Sequence, residues 1–267
     1  MPETARRWVL RHEGWLVTLA GVLAFVALPV CLGYMGISWD AVNHHIYLGW
    51  TAEHPRFDLD YVPAAYQTYQ FPYLYWPVYK LAIAGASGVT AGIVLALLHA
   101  TAVPAVWWMA RATVPGDDLF AAGMRAGGVL LAFMSGAVLS MFDTTANDLM
   151  AAVPLLWAYA VALQPVATPS ASSRWSLASG VLAGAAVACK LSNGFIVLAL
   201  PVLWAWPAGT VQARLRRCLV GGLGTAAGFL LVYGPWGWQL WVHYGSPVYP
   251  LYDGAFEPLR HALGWHR

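Results

Sequence analysis

From Trp15 to Tyr34 the chain runs for about 20 residues without a charged side chain, and Arg6, Arg7 and Arg11 stand just before that run. A helix needs about 20 apolar residues to cross the hydrocarbon core of a bilayer. A secretory signal has a shorter apolar segment, roughly 7–15 residues, and ends in a small-residue cleavage site. No Ala-x-Ala pattern follows here. The run reads as an uncleaved first helix, with residues 1–14 in the cytoplasm.

Composition carries the same constraint along the chain. Charged residues make up 10% of it and hydrophobic ones 60%, with mean hydropathy +0.58. A soluble domain carries about 25% charged residues, so this chain could not coat a water-facing surface. Disorder needs low hydrophobicity, and nucleic-acid binding needs a concentrated basic face. A net charge of +2 supplies no such face. Cys31, Cys189 and Cys218 lie in apolar runs, without the spacing of a zinc site or a disulfide framework.

Further apolar runs fall at about 89–110, 119–141, 147–164, 176–189, 191–206 and 218–240, with a shorter one at 72–87. Cytoplasmic loops are rich in Lys and Arg. The pair Arg111 and Arg125, then Arg174, then Arg214, Arg216 and Arg217 mark three such loops. All three join the N-terminus on one side only if 72–87 does not span. Pro72, Pro77 and Lys80 interrupt that segment, and it is dense in Tyr and Trp, as at the headgroup level. The chain is therefore expected to be an all-α membrane protein of about seven transmembrane helices in a single domain, 1–267. A long first outer loop, 37–88, would hold the juxtamembrane helix 72–87, and 241–267 would be an outer tail. Nine of the fourteen basic residues then face the cytoplasm. Eight of the twelve acidic ones face out: Asp40, Glu53, Asp58, Asp60, Asp143, Asp148, Asp253 and Glu257.

The outer segments carry the candidate chemistry. In SWDAVNHHIYLGW, Asp40 and His44 are one helical turn apart. An acid beside an imidazole can serve as a base, a base-orienting pair or a metal site. Alternatively, these residues, with His45 and Tyr47, solvate a helix end. Asp58-Leu59-Asp60 has the spacing of a metal-chelating pair, or of a solvated turn. Tyr61, Tyr66, Tyr69, Tyr73, Tyr75, Trp76 and Tyr79 form a surface suited to sugar stacking or a lipid chain, or else an aromatic belt. In MFDTTANDLM, Asp143 and Asp148 sit at a membrane boundary, where ionisable groups mark function. Asp148 could equally cap the following helix. Lys190, followed by the Ser192-Asn193-Gly194 turn, and Lys80 are outer cations beside these acids. Either could hold a lipid phosphate, or snorkel. The spans read as free of buried charge, which disfavours a transporter.

The strings WDAVNHHIYLGW, YQTYQFPYLYWPVY, DTTANDL, AGAAVACKLSNG and YGSPVYPLYD, in this order and topology, resemble bacterial members of the GT-C superfamily of polytopic glycosyltransferases. The resemblance covers most of the chain, which corresponds to the seven-span module the superfamily shares. It implies an enzyme of the bacterial inner membrane that moves a sugar, with inversion, from a polyprenyl-phosphate donor to an acceptor on the outer face. Asp40, Asp143 and Asp148 would be the catalytic acids. Asp40 and Asp143 would also be the candidate ligands if a divalent cation, Mg or Mn, takes part. His44, His45, Tyr47, Tyr69, Trp76, Lys80, Lys190 and Asn193 would contact substrate. The lipid bilayer is an expected partner, a further subunit is another, and nucleic acid is not. The competing readings are a non-catalytic subunit or truncated pseudoenzyme of a glycan assembly complex, and a lipid or solute transporter. A reporter fused after residue 88 is expected to lie outside the cytoplasm; a cytoplasmic signal there would restore 72–87 as a span.

Overall fold

The structure, a computed structural model, describes residues 2–60, 62–167 and 172–265. Tyr61, named above among the loop aromatics, and residues 168–171, in the loop marked by Arg174, lie outside the described residues.

The first helix, α1 (Glu3–Leu32), starts well before the apolar run and ends at Gly33, whose φ of +81° lets its N–H close on the Pro29 carbonyl. A π-helical turn, Ala41–His45, leads into α2 (Ile46–Thr51). A four-residue extended segment, Pro63–Tyr66, and two 3-10 turns, Gln67–Tyr69 and Pro72–Leu74, precede α3 (Trp76–Ile83). Ser87 caps α4 (Gly88–Ala100) by accepting the Thr90 N–H, and α5 (Ala102–Thr113) follows after Thr101. Asp118 likewise caps α6 (Leu119–Phe133), which is followed by α7 (Gly136–Leu139) and α8 (Asn147–Ala167). Then come α9 (Ser173–Cys189), α10 (Asn193–Val197) and α11 (Leu200–Ala205). The longest helix, α12 (Val211–Tyr244), stops at Gly245, again left-handed, and α13 (Glu257–Ala262) is the last helix among the described residues.

Among the described residues, four stretches are long and apolar enough to cross a membrane: Glu3–Leu32, Gly88–Thr113, Asn147–Ala167 and Val211–Tyr244. Other expected spans are broken. The 119–141 run stops at Phe133, and the Ser135 hydroxyl accepts the Val138 N–H to start a separate short helix. The 191–206 run divides between Val197 and Leu200, with Pro201 in the first turn of α11. Within 72–87 only eight residues are α-helical, because Pro72 and Pro77 each sit at a helix start. Along the long helices, Trp15, Leu19, Leu23, Leu219, Leu223, Leu230 and Leu231 are exposed. Apolar exteriors of this kind suit hydrocarbon rather than water.

The helices pack in sequence: α1 on α4 and α5, α5 on α6 and α8, α8 on α9, and α9 on α12, with α11 against α8 and α12. Small residues bring the backbones together. A Cβ on Gly180 would lie 2.1 Å from the Gly221 carbonyl oxygen, and one on Gly184 would lie 2.1 Å from that of Thr225. From the other side, a Cβ on Gly228 would lie 2.1 Å from the Val181 oxygen. This is small-residue packing of the kind that lets membrane helices approach without a hydrophobic driving force.

The expectation that the spans lack buried charge is corrected. Glu13 and Arg125 form a buried, two-pronged ion pair at 2.7 and 2.5 Å, joined by the Trp107 indole N–H at 3.0 Å. Arg125 also donates to the carbonyls of Val114 and Gly116, tying down the α5–α6 loop. Buried Arg217 donates to the carbonyls of Trp204 and Pro207 at the end of α11. These cations satisfy backbone acceptors that hydrocarbon would leave unpaired. They are invisible to a reading that counts charges along runs, because their partners are distant in sequence.

Gly184→Leu would drive a side chain into the α12 backbone and is expected to cost about 3 kcal/mol. Gly222→Ala, where a Cβ meets open space, should be close to neutral. Unfolding titrations in detergent would check this, and equal stability of the two variants would contradict the close α9–α12 contact.

Candidate active site

Asp143, Asp148 and Lys190 gather at one end of the bundle, where α1 and α9 end and α8 begins. The chain leaving α1 is fixed first. The Gly36 N–H donates to Asp143 at 3.1 Å, and a Cβ on Gly36 would come within 2.8 Å of that carboxylate and 2.6 Å of Thr144. Asp143 is buried and used as an anchor for the α1 exit. Four residues on, Asp40 heads the π-helical turn with its side chain 56% exposed, and one carboxylate oxygen lies 3.9 Å from His44 Nδ1.

The π-helical turn buries both histidines. His45 Nδ1 and the Thr145 hydroxyl are hydrogen-bonded at 2.6 Å, whichever carries the proton. The His45 ring stacks on Tyr75 with centroids 4.4 Å apart, and His44 meets His45 edge-on at 4.4 Å. Burial pushes the His45 imidazole down to about 4, helped by His44 and opposed by Asp40. Burial lowers His44 as well, against the pull of Asp40.

Tyr75 is 1% exposed, and its hydroxyl makes no hydrogen bond among the described residues. The Asn147 side chain lies close enough to act on it, though without hydrogen-bond geometry. Burial is the main cause that raises the Tyr75 hydroxyl well above the usual phenol range. The Asp148 and Asp40 carboxylates push the same way, so both acids bear on this one group. Lys190 follows the last turn of α9 and donates to Asn147 Oδ1 at 3.2 Å and to the Asp148 carboxylate. Tyr75, Asn147 and Lys190 line a cavity of about 190 Å³ whose other walls include Tyr69, Phe71 and Tyr233.

The remaining candidates serve other contacts. Asn193 is buried and donates to the carbonyls of Ala151 and Ala186, joining the α9–α10 turn to α8. Tyr47 donates to Asp60 at 3.2 Å, and Arg56 holds the same carboxylate at 2.8 Å, so Asp60 is already paired. Lys80 and the Trp76 indole both donate to Glu53, at 2.7 and 2.8 Å, in an exposed cluster. The Lys80 hydrogen bond, then that of Trp76, holds the Glu53 carboxyl below its usual range. Tyr69 lines the cavity, and its carbonyl accepts the buried Trp236 indole N–H at 3.0 Å.

Among the described residues, no group of three or more His, Cys, Asp or Glu side chains converges to hold a metal ion. Asp40 faces His44, whereas Asp143 is bound to Gly36. This donor set does not fit a divalent-cation site. Sequence reasoning placed Tyr75 only within the aromatic surface of the loop and did not single out Asn147 or Thr145 as site residues. Nothing in their local strings distinguishes them from belt or capping residues, and only the contact of distant segments does so.

The fold and this polar end define a helical membrane protein with a candidate site at the end of its bundle. The chain matches no protein-family model, no curated protein and no solved structure.

The acid lability of this end follows from His45. An unfolded histidine titrates near 6.5, so as pH falls from about 6.5 towards 4 the unfolded chain takes up the proton first. The stability associated with neutral His45 is complete above that window and is lost within it, by up to about 3 kcal/mol. Unfolding midpoints measured across pH 7 to 4 should show this slope, and His45→Gln should flatten it.

Proposed function

We propose that the chain is an integral-membrane glycosyltransferase of the GT-C type. It moves a sugar, with inversion, from a polyprenyl-phosphate donor to an acceptor at the outer face of a bacterial inner membrane. The observation that carries this reading is the aromatic-walled cavity with Lys190 and Asn147 at its polar edge, set at a bundle end that also holds Asp40. An amphiphile needs such a mixed surface: apolar and aromatic for chain and sugar, cationic for phosphate.

In this reading α1, α4–α5, α6–α7, α8, α9, α10–α11 and α12 make seven passes, the N-terminus is cytoplasmic and the site end faces out. Asp40, exposed and engaged only loosely by His44, takes the proton from the acceptor hydroxyl or amine. The acceptor heteroatom bonds to the anomeric carbon as the bond from that carbon to the phosphate oxygen breaks. The electron pair stays on the lipid phosphate, where Lys190 stabilises it. His45, neutral at pH 7, orients the Asp40 turn through Thr145. Lys80 and Trp76 belong to the interfacial surface of the loop.

A second reading, a non-catalytic subunit of a glycan assembly complex, has its own support. Asp143 and Asp148 are each already engaged, by Gly36 and Lys190. The two readings separate on one assay. Detergent-purified protein is given a radiolabelled polyprenyl-phosphate sugar and scored for loss of sugar from the lipid. Asp40→Asn is expected to slow transfer at least about a hundredfold, the range a positioned general base contributes. Transfer unchanged by Asp40→Asn removes Asp40 from the chemistry, and no transfer by the unsubstituted protein favours the subunit.

A further inference from the structure

Lys190 sits between two kinds of neighbour. On one side is the Asp148 carboxylate, with its side chain 59% exposed. On the other are Asn147 and Tyr75, both in the wall of the same cavity, and the buried Tyr75 hydroxyl makes no hydrogen bond among the described residues. A buried donor without a partner is costly and calls for an acceptor that the described residues do not supply. A half-exposed ion pair, in contrast, adds little net stability and is easily exchanged. The arrangement is lopsided: a buried donor without a hydrogen bond lies beside a cation whose present counter-ion is more than half exposed.

We infer that Asp148 is a built-in stand-in for the anionic group of the ligand. The cavity takes an oxyanion carried on an apolar chain, a phosphate ester, which displaces Asp148 from Lys190 and accepts the Tyr75 hydroxyl hydrogen bond. The phosphate-ester class rests on the transferase reading above, whereas the exchange of counter-ions rests on the geometry alone. The apolar chain has its counterpart in the walls, where Phe71, Leu191, Tyr233, Val248 and Leu251 surround the polar edge. Asp148 then acts as a selectivity element, since neutral amphiphiles gain nothing from Lys190 while the carboxylate holds it. Tyr75 acts as a binding residue.

Cys189 lines the cavity and reports on its occupancy. With Cys31 and Cys218 replaced by Ser, the detergent-purified protein is alkylated at Cys189 in the presence of geranyl phosphate, inorganic phosphate or geraniol, without any sugar donor. Geranyl phosphate should protect the thiol, with inorganic phosphate at least tenfold weaker and geraniol without effect. Lys190→Gln should abolish protection. Tyr75→Phe should weaken it about tenfold while leaving the melting temperature of the ligand-free protein equal or higher, because an unsatisfied hydroxyl has been removed. Asp148→Asn should strengthen protection several-fold. That opposite sign separates a displaced counter-ion from a residue that merely supports the site. Protection weakened by Asp148→Asn, or equal protection by geraniol, overturns the inference. Equal protection by inorganic phosphate overturns the lipid source and leaves an anion site. Sugar transfer without geranyl phosphate protection sinks this inference alone, and protection without transfer sinks the transferase reading alone.

Discussion

The backbone contact of α9 with α12 holds the rest of the structure in place. Gly180 and Gly184 lie against the carbonyls of Gly221 and Thr225, and Gly228 lies against that of Val181. No side chain intervenes, so the two helix ends are placed by backbone geometry. One face of the cavity comes from the end of α9, at Ala188, Cys189 and Lys190, and another comes from α12, at Tyr233. Widening the contact by one methyl group would move these walls apart. The same contact seats Trp204 of α11 against Gly221, with its indole N–H on Ser179 and the Ser179 hydroxyl on the Ala158 carbonyl. Four helices are thus registered by a chain of contacts that begins with glycine.

The two ends of the bundle use charge differently. At the Glu13 end, the ion pair with Arg125 is buried and saturated by Trp107 and two loop carbonyls. Breaking such a pair leaves an uncompensated buried charge, at a cost of about 3–5 kcal/mol, which suits a structural clamp. At the other end, Asp40, Asp148 and Lys190 are partly exposed and Asp40 is only loosely engaged by His44, while the hydroxyl of Tyr75 makes no hydrogen bond among the described residues. A clamp needs saturated partners, and a binding site needs spare ones. This contrast, more than the number of charges at either end, is what sets the Tyr75 end apart.

Part of this was legible along the chain. The first long apolar helix follows from its local string. The Gly180-x-x-x-Gly184 spacing was also there to be read as a packing face. Other features were not legible. Asp143 and Asn193 have the composition of site residues yet are spent on Gly36 and on two backbone carbonyls. Glu13 reads as part of a cytoplasmic tail and is instead sealed inside the bundle by a partner 112 positions away. Such assignments depend on contacts between segments far apart, which no local window contains.

By itself, the sequence determined the apolar surroundings and the helical class. With so few charges and such long apolar runs, the backbone must satisfy its own hydrogen bonds, and helices do this within a single segment. The tertiary structure alone decided which polar groups are spent and which are left over. Asp143, Asn193 and Asp60 found partners, whereas the Tyr75 hydroxyl found none in hydrogen-bond geometry among the described residues. The reason is physical. Helix formation depends on neighbours three and four residues apart, whereas the satisfaction of a side chain depends on what the packed helices bring within about 3 Å of it.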